Sequence, residues 1–418
     1  MEKATAEEPT KFIQFGCWNN INKDGCLEKV MIKLNEYVTD VTTKPDFIVI
    51  TGDNYYPQKE KKETVEGETV VKEKKKEKKE KKETVDGEIE EKTEKKKIIK
   101  FEAIEFGFQL LPKDIPIYTI LGNHDLETID AVKQNLFVDI DGSRRPENGC
   151  EIVTNQIKTI SAFKNISYDF FKSVKLANNT LLLMIDTSIY EKPKDSNKYL
   201  PCYTQFAELN PVALPSTQTS TIDMLRTYQF GLIQEAIGTT TFSNIIIAGH
   251  HPIRQLKLKD KIDKLFTDIA DFEVVLNNIN NLTPTSKFYY LCSDLHLYQE
   301  GTIRLPVDTG TMNIKQYIVG TGGTELDSMP SPNSLGNGIY TDINSKGECG
   351  FLECDVSGPD PTFEFITAPA TVTNPTANLP SAADASEFIG GKRKRRSKKY
   401  KSGTRRRRRN TRKKYKKR

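Results

Sequence analysis

Apolar and polar positions along this chain follow a recurring pattern. A short run of strand-forming residues gives way to a polar turn, and several turns lead into stretches with helical spacing. Lys11–Gly16 alternates in part and predicts a first strand. Leu27–Val41 places Leu27, Val30, Met31, Leu34, Tyr37, Val38 and Val41 near a helical period. Phe47–Thr51 predicts a second strand, and this β–α–β opening implies parallel neighbours. Phe101–Leu111 predicts an amphipathic helix that Pro112 ends, Ile115–Leu121 a strand, and Thr128–Leu136 a helix. Thr180–Asp186 is continuously apolar, as a strand buried on both faces would be. Thr187–Ser220 is rich in Pro, Lys, Asn, Ser and Thr and predicts a long loop, followed by a helix at Tyr228–Ile237 that Gly238 stops. Further strands are predicted at Ile245–Gly249, Phe288–Cys292, Gln316–Val319, Gly350–Val356 and Thr362–Ile366. The alternation defines an α/β chain with a folded body over 11–366.

Two segments break the pattern, and both change the meaning of the charge. Residues 58–100 hold 16 Lys and 13 acids among 43 residues, with a near-repeat of Lys61–Glu68 at Lys81–Glu88. Such a stretch buries too little apolar surface to offset its ordering entropy, so it is expected to be a solvated insertion. Residues 367–390 form a Pro/Ala/Thr/Ser-rich linker, and 391–418 carry 19 Lys or Arg and no acid. The formal charge of +5 therefore belongs to the tail, while the body is acidic. Nineteen positive charges on an extended arm, including Lys392, Arg393, Arg395, Arg396, Arg405, Arg406 and Arg407, suit nonspecific polyanion binding or nuclear import.

The seven cysteines show no C-x-x-C spacing, Met1–Thr10 has no apolar targeting core, and no run is long enough to span a bilayer. The expectation is an unsecreted intracellular chain, cytosolic or nuclear, with reduced thiols and no membrane partner.

The chemistry lies in the turns. There are four histidines, His124, His250, His251 and His296, and each follows a predicted strand within a short polar turn. A fourth strand end supplies Gly52-Asp53-Asn54-Tyr55-Tyr56. Oxygen and imidazole donors delivered to the carboxyl ends of strands suit a metal site, and a carboxylate such as Asp53 can bridge two ions. Asn123 offers a neutral oxygen, and Tyr56 a phenolate on the opposite side of the chain from Tyr55. His124 sits beside Asn123, placed to reach substrate, with Asp125 expected to orient its ring.

Gly52-Asp53-Asn54-Tyr55-Tyr56, Gly122-Asn123-His124-Asp125, Ala248-Gly249-His250-His251-Pro252 and Leu291-Cys292-Ser293-Asp294-Leu295-His296 stand in the order found in calcineurin-like metallophosphoesterases. The chain most resembles the small, tartrate-resistant purple acid phosphatases, from Lys11 to Ile366 and including Tyr317–Gly323. The resemblance implies a four-layer αββα sandwich with two mixed sheets and a dinuclear centre of iron with iron, zinc or manganese. It also implies hydrolysis of phosphate monoesters, small molecules or phosphoproteins, through a metal-bound hydroxide. Carried over by position, Asp53 bridges, Tyr56 and His296 serve one metal, Asn123 and His250 the other, and Asn123 and His124 contact substrate.

Three positions differ from the family pattern. Cys17 stands where the first motif has a ligating aspartate, and either a soft thiolate ligand or a buried apolar thiol fits there. Asp294 replaces a histidine of the last motif and keeps a ligating oxygen. Beyond the His250 motif no separate histidine stands ready as a second acid, His296 being carried over as a ligand, so His251 is either that second catalytic acid or a spacer residue. The tail resembles the Lys/Arg-rich C-termini of proteins from large DNA viruses of protists and algae. The competing reading is thus a non-catalytic scaffold whose tail tethers it to nucleic acid or within a virion. A nucleotide or nucleic-acid phosphodiesterase would need both parts.

Overall fold

Phe12, Ile13, Gln14 and Phe15 are all buried, which sets the first strand inside a sheet covered on both faces. The computed structural model describes residues 8–20, 26–56, 99–100, 102–127, 137–138, 144–145, 149–192, 196–259, 262–331 and 338–369. β1 (Lys11–Phe15) and β2 (Phe47–Ile50) pair in parallel and are joined through α1 (Leu27–Thr39), as the opening pattern predicts. Then come β3 (Ile99–Lys100), α2 (Glu102–Leu110), β4 (Ile117–Thr119), β5 (Phe137–Val138), β6 (Arg144–Arg145), α3 (Glu151–Ile160) and β7 (Ile166–Tyr168). β8 (Phe171–Leu176) and β9 (Thr180–Ile185) form an antiparallel pair, followed by α4 (Leu200–Leu209), α5 (Ile222–Ile237) and β10 (Asn244–Ala248). β11 (Gln255–Lys259) and β12 (Ile262–Phe266) make a separate hairpin before α6 (Phe272–Leu282). The remaining strands are β13 (Lys287–Cys292), β14 (Tyr298–Val307), β15 (Gly310–Val319), β16 (Tyr340–Lys346), β17 (Gly350–Asp355) and β18 (Thr362–Thr367).

Two mixed sheets carry the fold. One has six strands in the order β18-β17-β1-β2-β4-β7, the other seven in the order β16-β14-β15-β13-β10-β9-β8. Aromatic pairs knit them face to face. Tyr289 and Tyr317 lie 5.1 and 4.5 Å from Phe363, and Tyr298 lies 4.3 Å from Phe365, between ring centroids. Each such pair contributes about 0.5–1.5 kcal/mol beyond its buried area. α1 and α3 pack on the first sheet, α5 and α6 on the second, which gives the mixed four-layer sandwich expected of this fold class. At the carboxyl ends of the strands, Gln14 Nε2 donates to Thr51 Oγ1 (2.7 Å) and to the carbonyl of Cys292 (3.2 Å), so one buried amide ties the two sheets beside the site.

Several expectations need correction. Thr187–Ser220 is not a loop throughout: α4 occupies Leu200–Leu209, with Pro201 in its first turn, where a missing N–H costs nothing. Its Cys202, Tyr203, Phe206 and Ala207 are buried, a short apolar face that the polar composition of the wider window hides. The helix predicted at Tyr228–Ile237 begins at Ile222, where the Thr221 hydroxyl accepts from the amide of Met224 (3.1 Å). α3, α6 and β8 fall in stretches for which the pattern predicts no element.

The expectation of reduced thiols also fails, because Cys26 pairs with Cys349 and Cys150 with Cys202. The partners stand 323 and 52 residues apart, so spacing along the chain gives no sign of them, and cysteine usage no longer argues for a reducing compartment. Cys17, Cys292 and Cys354 remain free and buried. Among the described residues no helix is long and apolar enough to cross a membrane. The helix predicted at Thr128–Leu136 and most of the 58–100 insertion fall outside the described residues. So do all of the linker beyond 369 and the tail residues Lys392, Arg393, Arg395, Arg396, Arg405, Arg406 and Arg407.

Asp186, just past β9, is wholly buried and accepts from the Ser188 amide (2.9 Å) and the Tyr203 hydroxyl (2.8 Å). Burial outweighs those bonds and pushes its carboxyl up to about 6. The folded state thus holds a proton that the unfolded state gives up near the ordinary carboxylate range, so stability falls as pH rises from about 4 to 6. Asp186→Asn, which mimics the protonated acid, should match wild type near pH 4. By pH 7 it should be more stable by about 2–3 kcal/mol in thermal denaturation. The Cys150→Ala/Cys202→Ala double variant should lose about 2–4 kcal/mol in the same measurement.

Candidate metal centre

The site forms where two strand-end turns touch. A Cβ on Gly122 would stand 2.4 Å from both the amide nitrogen and Oδ1 of Asp53. One on Gly52 would meet the Gly122 amide nitrogen at 2.7 Å and His250 Nδ1 at 2.9 Å. Only glycine permits this approach, and Gly52 also holds a φ of +86°. The next residue, Asp53, keeps a φ of +53°, and Cys17 and Asp294 at neighbouring strand ends keep +50° and +56°. Left-handed backbone is costly for such residues and recurs at functional sites.

Asn54 and Asp125 hold the turns in place. Asn54 Oδ1 accepts from Trp18 Nε1 (3.1 Å) and Thr119 Oγ1 (2.7 Å), and its Nδ2 donates to the Ile120 carbonyl (2.9 Å). Asp125 does not orient the His124 ring as expected. Its buried oxygens accept from the amides of Asn54 and Gly122 (2.8 Å each), from Asn54 Nδ2 (2.9 Å) and from Gln156 Nε2 (2.7 Å). Its acidity is weakened by burial and by Asp53, to about 6. The ring of His124 meets Glu127 instead, Nδ1 to Oε1 at 3.2 Å.

The Asp53 carboxylate divides the site. Oδ2 accepts from the Tyr56 hydroxyl (2.6 Å) and lies 3.8 Å from Cys17 Sγ. Tyr56 in turn lies 3.2 Å from His296 Nε2. On the other side Oδ1 lies 3.2 Å from His250 Nε2 and accepts from the His124 amide (3.0 Å). His250 Nε2 lies 3.0 Å from Asn123 Oδ1 and 3.9 Å from Asp294 Oδ1. The Thr51 carbonyl (2.8 Å) and the Ser293 hydroxyl (3.0 Å) meet His250 Nδ1, so Nε2 is the nitrogen turned toward the donors. Asp53 and His250 are buried, whereas Tyr56, Asn123, His124, Asp294 and His296 are part-exposed and form the open side.

Electrostatics mark the same point. Burial alone would raise Asp53, but His250 and His124 hold its carboxyl well below the usual range. Burial disfavours charge on His250, yet Asp53 lifts its imidazole to about 10; His124 is lifted against burial to about 9 by Asp53 and then Glu127. Burial lowers His296 and, with Asp53, raises Cys17 and Tyr56. A cation beside Asp53 keeps that carboxyl low and opposes the upward electrostatic shifts of His250, His124, Cys17 and Tyr56.

These donors fit metal ions. Two nitrogen or oxygen ligands on one ion, each at roughly 2.0–2.1 Å, stand roughly 2.8–3.4 Å apart. The His250–Asp53, His250–Asn123 and Tyr56–His296 separations of 3.2, 3.0 and 3.2 Å fall in that range. Ligand atoms of Cys17, Asp53 and His250 lie within 4.8 Å of one another, as do those of His250, His251 and Asp294.

His251 is buried beside His250 and engages Thr187 and Glu191. It is 2% exposed, with Nδ1 at 3.1 Å from Thr187 Oγ1 and Nε2 at 2.9 Å from Glu191 Oε1. Thr187 Oγ1 also accepts from the amides of both His250 and His251, at 3.0 and 2.9 Å. The roles of Thr51, Thr187, Gln156 and Ser293 depend on long-range contacts that leave no local trace in the sequence. Glu127 stands three residues beyond His124, a spacing that local sequence does show.

The sequence profile of the calcineurin-like phosphoesterase family matches residues 10–276, and the chain belongs to that family. Two solved structures are similar to it. One is a purple acid phosphatase from yellow lupin (Lupinus luteus) seeds, 11% identical with a TM-score of 0.47, over 87% of this chain and 52% of that one. The other is PhoD, 9% identical with a TM-score of 0.44, over 92% and 76%. The chain thus spans about half the length of the lupin enzyme. No curated protein matches the sequence at a significant level.

Gly122→Ala should lower metal content per chain in elemental analysis and reduce stability by about 1–3 kcal/mol. Full metal content with unchanged melting would show that the two turns need not touch.

Proposed function

We propose that the chain is a metal-dependent phosphoesterase that hydrolyses phosphate monoesters of small molecules or phosphoproteins. The observation that carries this reading is the split of Asp53, whose two oxygens face two separate donor sets on one open side. In this reading Asp53, Tyr56 and His296 would hold one ion and Asp53, Asn123, His250 and Asp294 a second, as iron with iron, zinc or manganese. Bound there, such ions polarise phosphoryl oxygens and lower the pKa of water.

The chain's own residues position the substrate. With Nδ1 engaged by Glu127, His124 has Nε2 left for a phosphoryl or leaving-group oxygen. At 36% side-chain exposure it can meet a ligand that the wholly buried His250 cannot. Asn123 turns Oδ1 toward His250 and keeps its amide N–H groups for a phosphate oxygen. His251 is assigned to holding the His250 turn through Thr187, not to proton transfer. The basic tail acts outside the reaction, as a tether for polyanions.

The test is hydrolysis of p-nitrophenyl phosphate against its bis ester, alongside metal content. Wild type should bind two metals and hydrolyse the monoester in preference. Asp53→Asn should lose both metal and activity, whereas His124→Ala should keep its metal and fall by about 10²–10⁴ in kcat. Truncation after Gly390 should leave activity intact. A protein that takes up neither iron, zinc nor manganese and hydrolyses nothing would overturn the proposal in favour of the tethering scaffold.

A further inference from the structure

We infer that Cys17 is a thiolate ligand in this centre, making its Oδ2 side a site for a zinc- or iron-class ion in preference to manganese or magnesium. The inference rests on the metal centre proposed above and names what one half of it selects.

The surroundings of Cys17 are those of a ligand, not of a packing residue. Its sulfur lies 3.8 Å from Asp53 Oδ2, with the Tyr56 and Ser293 hydroxyls also in reach. A sulfur at roughly 2.3 Å and an oxygen at roughly 2.1 Å from one tetrahedral ion stand roughly 3.6 Å apart. The observed separation, over which the thiol donates a long hydrogen bond to Oδ2, is close to that value.

The other free cysteines differ. Cys292 closes β13, its sulfur 3.6 Å from the Tyr317 carbonyl, and Cys354 lies within β17. Among the described residues neither belongs to a group of metal-type donors, whereas Cys17 shares one with Asp53 and His250, all buried. Four cysteines of this chain are joined in disulfides, yet Cys17 faces the Asp53 carboxylate and the Tyr56 phenol, with His250 also in its donor group, rather than another thiol.

The two sides of Asp53 therefore differ in chemistry. Asn123, His250 and Asp294 offer only nitrogen and oxygen. Cys17 adds sulfur to Tyr56 and His296, and sulfur favours borderline and soft ions. Ligation exchanges the S–H proton, released to solvent, for a sulfur–metal bond, and no electrons change hands.

The experiment is cobalt(II) titration of the full-length protein in buffer free of thiol reductants, read by near-ultraviolet absorption and by cobalt bound per chain. The expected result is a thiolate-to-cobalt charge-transfer band that grows with bound cobalt. Cys17→Asp should still bind cobalt but lose the band, and manganese should compete with zinc better than in wild type. The Cys292→Ala/Cys354→Ala variant, in which Cys17 is the sole free thiol, should keep the band, which preserves the test if Cys17→Asp folds poorly. Cobalt bound to wild type without the band, or a band that survives Cys17→Asp, would overturn the inference and leave the phosphoesterase reading standing. A wild-type protein that binds no cobalt, zinc or iron would overturn both.

Discussion

A carboxylate buried at the end of a strand is the constraint on which this structure depends. Asp53 is 1% exposed, and an isolated charge in that position would be expensive. It is sustained by His250, by the Tyr56 hydroxyl and by the His124 amide, each delivered from a different turn or strand end. Those deliveries need Gly52 and Gly122 to touch, and the touching turns need Asn54 and Asp125 behind them. The order of dependence runs outward, from one anion to its donors, to the turns, to the ends of two sheets.

The arrangement explains why polar residues are concentrated inside the carboxyl edge of the sandwich. Gln14, Thr51, Asn54, Asp125, Gln156, Thr187 and Ser293 are all buried and hydrogen-bonded there. Away from that edge the sheets meet through aromatic rings. The polar edge contributes little hydrophobic stability, and its role is to hold donors in fixed directions.

Much of this is legible in the amino-acid sequence alone. The strands ending at Asp53, Asn123, His250 and His296 show as apolar runs with polar ends, and the fold brings those residues' donor atoms together. The helical period of Leu27–Val41 and the continuous run Thr180–Asp186 are equally plain, because burial on one face or on both leaves a periodic trace. What stays hidden has a physical reason in each case. α4 carries a proline in its first turn and sits in a polar window, so its short apolar face is diluted. The disulfide partners are distant in sequence, and spacing cannot show which thiols meet in space. Asp125 looks like a partner for its neighbour in sequence, but the backbone turn aims it inward at Asn54 and Gly122.

The Cys26–Cys349 bond has a consequence for the chain as a covalent object. It joins a residue before the second strand to one at the edge of the seventeenth, so 323 residues of separation are closed into a single ring. A single peptide-bond cut between those two cysteines, including one in the Lys/Glu-rich segment, leaves both fragments attached through sulfur. During synthesis that ring cannot close until Cys349 has emerged, so the first strand's neighbourhood is tied down only after most of the fold exists. The protein is in this respect locked from its far end.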